Sequence, residues 1–242
     1  MDILHMSLIL VGTGISFDLT LSSIERLRNA QEVYLERYTN QITEEKIEKL
    51  EKLINKKVIV LPRDKVESGF LIEKAEKNDV VLLASGDPLT ATTHITLILD
   101  AKKQHITVEV FHNSSIYTAA PGISGLQIYR FGKTASLVNP RENYKPTSSL
   151  EIIRNNLKMN MHTLVLLDTE PIPMTANTAL DMLSEFNSAV VLSNVGEKNQ
   201  KITYGSISEL RKTNLGEPPF SMIIPAKLHD VEEESLEFFK IK

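Results

Sequence analysis

The apolar run Val80–Ala84 breaks after Ser85 into Gly86, Asp87 and Pro88, and a polar stretch containing Thr90, Thr92, Thr93 and His94 follows. A carboxylate at such a break has two chemical uses. It can satisfy free backbone N–H groups ahead of a helix, which Asp-Pro sequences commonly do. It can also face a ligand, and the neighbouring stretches point that way. The apolar run ending at Phe111 gives way to "HNSSIYTAAPGISG", a second polar stretch read as an irregular loop, and Gly12 and Gly14 follow the first apolar run of the chain. Gly86, Gly122, Gly125 and Gly196 likewise stand beyond apolar runs. In open parallel sheets ligands bind outside the carboxyl ends of the strands, where glycine lets backbone approach them closely.

Several chemistries are excluded by the same residues. "VGTGISFD" carries G-x-G, but the third glycine of a dinucleotide fingerprint is replaced by Phe17, and no Walker-type lysine motif occurs. The chain has no cysteine, which removes disulfides, thiolate metal sites and cysteine nucleophiles and points to a reducing compartment, the cytoplasm. Its histidines, His5, His94, His105, His112, His162 and His229, are never paired at zinc spacing, so no metal site is expected and structural roles are the ordinary reading. Without a G-x-S-x-G elbow, Ser114 and Ser115 are poor nucleophiles. No residue declares itself as a catalytic acid or base.

The elements that must position these groups alternate in type. "LILV", "EVYLE", "KVIVL", "VVLLA" and "TVEVF" read as strand candidates, separated by longer stretches of helical pattern. Thr20 is the expected N-cap of a helix with Leu21, Ile24 and Leu27 on one stripe, and Ile47, Leu50, Leu53 and Ile54 mark another. That pattern predicts an α/β fold with a parallel N-terminal sheet covered on both faces. Further on, "TASLV", "TLVLL", "AVVLS", "KITYG" and "SMIIP" are strands, with helices expected over residues 149–160, 175–186 and 231–239. The short link between "AVVLS" and "KITYG" demands a hairpin, hence a mixed sheet. Two α/β domains follow, 1–112 and 113–242. At 242 residues and 42% hydrophobic content the chain can bury cores of that size. A net charge of -4 gives no bulk attraction to nucleic acid, and the interrupted apolar N-terminus reads as neither a signal peptide nor a membrane span.

The ordered motifs "VGTGI", "YLERYT", "GDPLTATTH", "GLQIYRFGKT", "KPTS", "MHTLVLLD", "MTANTA" and the late "KLH" resemble the diphthine synthase family, within the tetrapyrrole-methylase-like group of S-adenosylmethionine-dependent methyltransferases. The resemblance spans nearly the whole chain. It implies two α/β domains of the tetrapyrrole methylase type with the cofactor in a cleft between them, in a homodimer. It also implies methylation of the amino nitrogen of a 3-amino-3-carboxypropyl group carried on a histidine of translation elongation factor 2. Eukaryotic members are expected to add a further methyl ester; the compactness after "LLD" sides with the archaeal type, whose product is the trimethylammonium form. By motif, the resemblance assigns S-adenosyl-L-methionine contacts to Ile15, Asp87, Thr90, Ser115, Ile116, Leu167, Val195 and His229. Ile15, Ile116, Leu167 and Val195 would form an apolar sleeve, while Asp87, Thr90 and Ser115 supply polar contacts.

Three stretches depart from the family pattern: Pro121 in a "TAAPGISG" segment one residue longer than usual, Asn194 where relatives often carry arginine, and the less acidic "GISFDLT". "PGISG" alone also suits a sibling enzyme acting on a tetrapyrrole or a ribosomal RNA. A non-catalytic nucleotide-binding module is the alternative of another class. "MTANTA" and "KLH" favour the first reading.

Overall fold

The computed structural model describes residues 6–39, 42–140 and 147–241. His5 and the first two residues of "KPTS" lie outside them. The chain divides into a unit ending at Ser115 and another beginning at Ile116, a few residues beyond His112.

In the first unit β1 (Ser7–Gly12), β2 (Glu32–Glu36), β3 (Val58–Leu61), β4 (Asp79–Ala84) and β5 (Thr107–Phe111) form one sheet in the order β3-β2-β4-β1-β5. All its pairings are parallel. The crossovers carry α1 (Leu21–Asn29), α2 (Glu44–Ile54), α3 (Arg63–Val66), α4 (Phe70–Ala75) and α5 (Ile95–Lys103). Alternation along the strands explains why they read as unbroken apolar runs. Leu8, Leu10, Tyr34, Val80 and Leu82 enter a core with Val66, Leu71 and Leu97 from α3, α4 and α5. Ile9, Val11, Val33, Leu35, Val81 and Leu83 enter the opposite core with Leu27, Ile47, Leu50 and Ile54 from α1 and α2. Each such side chain stabilises the fold by roughly 1.5–3 kcal/mol relative to exposure.

Thr20 caps α1 by accepting the Ser23 N–H at 3.2 Å. The apolar stripes need correction: Leu21 is 88% exposed and Leu53 is exposed, while Ser23 and Leu27 face inward on α1. Leu21 occupies the first position of its helix. At the amino ends of the strands, Arg26 ties Asp79 at 2.9 Å to Glu109 at 3.0 Å. The carboxyl ends are organised differently. Neighbouring strands β1 and β4 send their connections to opposite faces, α1 into one core and α5 into the other. That divergence is the topological switch point at which an open α/β sheet forms its crevice.

The second unit has β6 (Ala135–Leu137), β7 (Thr163–Leu167), β8 (Ser188–Ser193), β9 (Lys201–Ser206) and β10 (Phe220–Ile224), ordered β6-β7-β10-β8-β9. β6 and β7 run parallel and the other pairings are antiparallel, with the expected β8–β9 hairpin. Its helices are α6 (Ile116–Ser124), α7 (Ser148–Lys158), α8 (Ala176–Met182), α9 (Ile207–Leu210) and α10 (Asp230–Glu237). Leu137, Ile153, Val165, Leu180, Val191 and Met222 share its core. The glycine- and proline-containing stretch after residue 115, read as a loop, is α6, with Pro121 inside it. Gly125, at φ +73, follows its end. Among the described residues no helix is long and apolar enough to cross a membrane.

A buried polar cluster fixes α10. Glu232, 0% exposed, accepts from Arg130, from His162 Nε2 at 3.1 Å, and from the backbone N–H groups of Gln127 at 3.1 Å and His229 at 2.9 Å. His162 Nδ1 accepts the Ala226 N–H at 2.9 Å, so the ring is neutral with its proton on Nε2. Burial lowers the His162 pKa and Arg130 adds to this, against the opposing pull of Glu232. For Glu232, burial opposes ionisation but the backbone donors and His162 outweigh it, and its pKa is lowered.

Both shifts make the fold acid-sensitive. With His162 lowered from 6.5, the unfolded chain binds the extra proton first, and stability is lost as pH falls from about that value. The contribution of Glu232 is complete above 4.5 and is lost at still lower pH, as its carboxylate protonates in the folded state. The unfolding temperature is therefore expected to fall between about pH 7 and 5. His162→Gln should start lower and show a flatter slope over that window; a slope equal to that of the parent would contradict this account.

Candidate functional site

Three loops leave the carboxyl ends of β1, β4 and β5, and hydrogen bonds knit them together. Gly14 and Gly86 exchange backbone bonds at 3.0 and 3.1 Å, with φ of +70 and +67 respectively, a conformation that glycine adopts without strain. Gly12 permits the approach, because a Cβ there would stand 2.5 Å from the Gly86 carbonyl oxygen. From the β5 loop, Asn113 Nδ2 donates to the carbonyls of Gly12 at 3.0 Å and Asp18 at 2.7 Å. Ser114 Oγ receives the Ile15 N–H at 3.2 Å. Thr13, set between the two glycines, buries a hydroxyl with no partner among the described residues.

Asp87 is the clasp of this arrangement. Oδ1 accepts from the Leu89 N–H at 3.0 Å and Thr90 Oγ1 at 3.1 Å. Oδ2 accepts from His112 Nδ1 at 2.7 Å and the Asn113 N–H at 3.3 Å. The ordinary capping role is thus realised in part, as a turn onto Leu89. The helix itself begins later, at Ile95 with His94 in the N-cap position. Burial opposes ionisation of Asp87, whose side chain is 11% exposed, yet these donors together hold the carboxyl below its usual range. It is a fixed negative charge at the rim of the sheet.

Of the residues assigned by resemblance, Ile15, Asp87, Thr90 and Ser115 belong to these loops. Ile15 is half-buried with its N–H spent on Ser114, Thr90 is half-buried beside Asp87, and Ser115 is buried. The other four lie in the second unit. Ile116 opens α6, Leu167 ends β7, Val195 is buried just beyond β8, and His229 precedes α10 with an exposed ring. Asn194 takes a positive φ of 48 at the end of β8 and donates through Nδ2 to the Glu217 carbonyl at 3.2 Å. Asparagine tolerates that left-handed turn well.

His112, Asn113 and Ser114 were not selected as site residues from the sequence. Their position directly after an apolar run was the available signal, but the spacing of 25 residues between His112 and Asp87 carries no pattern until β4 and β5 are placed beside β1.

The chain is similar to known proteins along most of its length. Residues 7–211 match the profile of the Tetrapyrrole (Corrin/Porphyrin) Methylases. The diphthine synthase of Methanocaldococcus jannaschii is 41% identical, over 96% of this chain and 98% of that protein. That of Staphylothermus marinus is 36% identical, over 94% and 91%. A crystal structure of diphthine synthase superimposes with a TM-score of 0.89 at 33% identity, covering 97% of this chain and 96% of the other. With a parallel and a mixed sheet in the order described and likeness along almost its whole length, the chain belongs to the diphthine synthase family of tetrapyrrole-methylase-type methyltransferases.

Proposed function

We propose that the protein transfers methyl groups from S-adenosyl-L-methionine to the amino nitrogen of the 3-amino-3-carboxypropyl group on a histidine of translation elongation factor 2, the step of diphthamide biosynthesis that forms diphthine. The likeness to diphthine synthases along both units carries this reading. Its setting would be the cytoplasm, where the translation factor resides, with the protein acting as a homodimer. Nucleic acid is not the substrate of this reading, in keeping with a net charge of -4.

The residues present suit such a cofactor. Gly14 and Gly86 bring bare backbone to the rim of the sheet, Thr90 and Ser115 place hydroxyls there, and Asp87 adds a negative charge suited to a cationic ligand. We assign cofactor contacts to Ile15, Asp87, Thr90 and Ser115 in the first unit and to Ile116, Leu167, Val195 and His229 in the second. When bound, the sulfonium supplies an already activated methyl electrophile. The chain then has to orient an amine in line with the methyl–sulfur bond and exclude water. The Asp87 clasp contributes by holding the β4 and β5 loops in one arrangement before binding.

Incubation with labelled cofactor should methylate elongation factor 2 bearing the aminocarboxypropyl histidine, and mass measurement will count the methyls. Unmodified factor, ribosomal RNA and an early corrin precursor should remain unlabelled. Preferential labelling of any of these would overturn the reading, and binding without transfer would favour a non-catalytic module.

Asp87→Asn tests the site. The amide can still accept from Leu89 through its oxygen, but the charge-assisted contact assigned to the cationic cofactor, worth about 1.5–3 kcal/mol, is lost. Cofactor affinity by calorimetry should fall roughly tenfold or more, with only a modest change in unfolding temperature. Unchanged affinity with a sharp loss of stability would reduce Asp87 to a structural cap.

A further inference from the structure

Methyl transfer to an amine has a requirement beyond cofactor contact. An ammonium has no lone pair, so each methylation must be preceded by loss of a proton, and something must accept it. His112 stands immediately after β5 with its side chain 67% exposed. Its Nδ1 is engaged by Asp87 at 2.7 Å. With Asp87 held ionised, Nδ1 carries the proton and donates it to the carboxylate, leaving the lone pair on Nε2. Among the described residues Nε2 has no hydrogen-bond partner. A carboxylate that fixes the tautomer and steadies the imidazolium once formed is the arrangement of an oriented general base.

We propose that His112, oriented by Asp87, is the proton acceptor for the substrate ammonium. This inference rests on the reading of the chain as an amine methyltransferase. His112 Nε2 takes one proton from R–NH₃⁺, giving R–NH₂ and imidazolium. The nitrogen lone pair then forms the N–C bond as the methyl–sulfur bond breaks with its electron pair on sulfur, leaving a neutral thioether and R–NH₂CH₃⁺. The imidazolium passes its proton to solvent, for which its exposure suits it, and the ring is ready for the next transfer. Any later addition to a nitrogen that still carries a proton needs the same step.

Among the described residues one charged group is bonded to the ring. Asp87 contacts it directly. Asp18, on the β1 loop, accepts the Ser16 N–H at 3.1 Å through Oδ1 and the Asn113 amide at its carbonyl, and Lys46 Nζ donates to the Ser16 carbonyl at 3.3 Å. Beside its assigned cofactor contact, Asp87 positions the ring, and His112 is the residue that takes the proton.

The test compares wild type, His112→Ala and His112→Gln on elongation factor bearing the aminocarboxypropyl histidine, with kcat measured across pH and cofactor affinity measured calorimetrically. Both variants should bind cofactor as the wild type does and lose roughly 100-fold in kcat near neutral pH. The deficit should shrink as pH rises and the free amine becomes available without help. Imidazole in solution should partly restore His112→Ala. Glutamine, which can still donate to Asp87 but cannot take a proton, should not restore the rate. Independently of turnover, nitrogen-15 spectra of the ring should show the Nδ1–H tautomer in the wild type and its loss in Asp87→Asn. A pH-independent deficit, restoration by glutamine, a kcat close to wild type in His112→Ala, or a ring protonated on Nε2 alone would overturn the assignment. If the wild type itself transfers no methyl, the functional reading fails and this inference falls with it.

Discussion

The rim of the first sheet depends on how closely the β1 and β4 loops approach each other. Gly12 has no room for a side chain, and Gly14 and Gly86 pair through backbone in a conformation costly for other residues. Once these loops touch, Asn113 and Asp87 can bind the β5 loop to both of them. The bonds that result are mostly short-range in space and long-range in sequence. The rim is consequently a product of the sheet order, because β1 lies between β4 and β5.

This arrangement places charge deliberately. Burying a carboxylate is unfavourable unless hydrogen bonds replace its water, and Asp87 has a donor for each of about four lone-pair positions. The second unit shows the same principle without any outward face: Glu232 is fully buried and serves Arg130, His162 and two backbone amides, fixing α10. The contrast lies in His112 and His162. His162 is spent on both nitrogens inside a core, whereas His112 is bonded at Nδ1 on a side chain that is mostly exposed. The first is architecture, and the second is available for chemistry.

Much of this was legible in the sequence, for reasons that differ by element. Strands buried on both faces announced themselves as apolar runs, and Thr20 announced a cap. Helix α6 was hidden because glycine, proline and serine are ordinarily loop residues, yet Pro121 and Gly125 sit in and just after a helix. Leu21 and Leu53 satisfied a helical stripe in sequence but not in space. At the site, the Gly and Asp positions were visible because they stand where apolar runs end. The partners of Asp87 were not, since a pairing of residues 87 with 112 and 113 is set by strand neighbours and leaves no periodic trace.

The central claim is that these knitted loops form the methyl-donor site. Amide hydrogen exchange with and without S-adenosyl-L-homocysteine tests it most directly, because it reads every segment at once. The account predicts added protection over residues 12–18, 86–90 and 112–116, together with the segments around Leu167, Val195 and His229. Protection concentrated elsewhere, such as around Arg26 at the amino ends of the same strands, with the knitted loops unchanged, would contradict it.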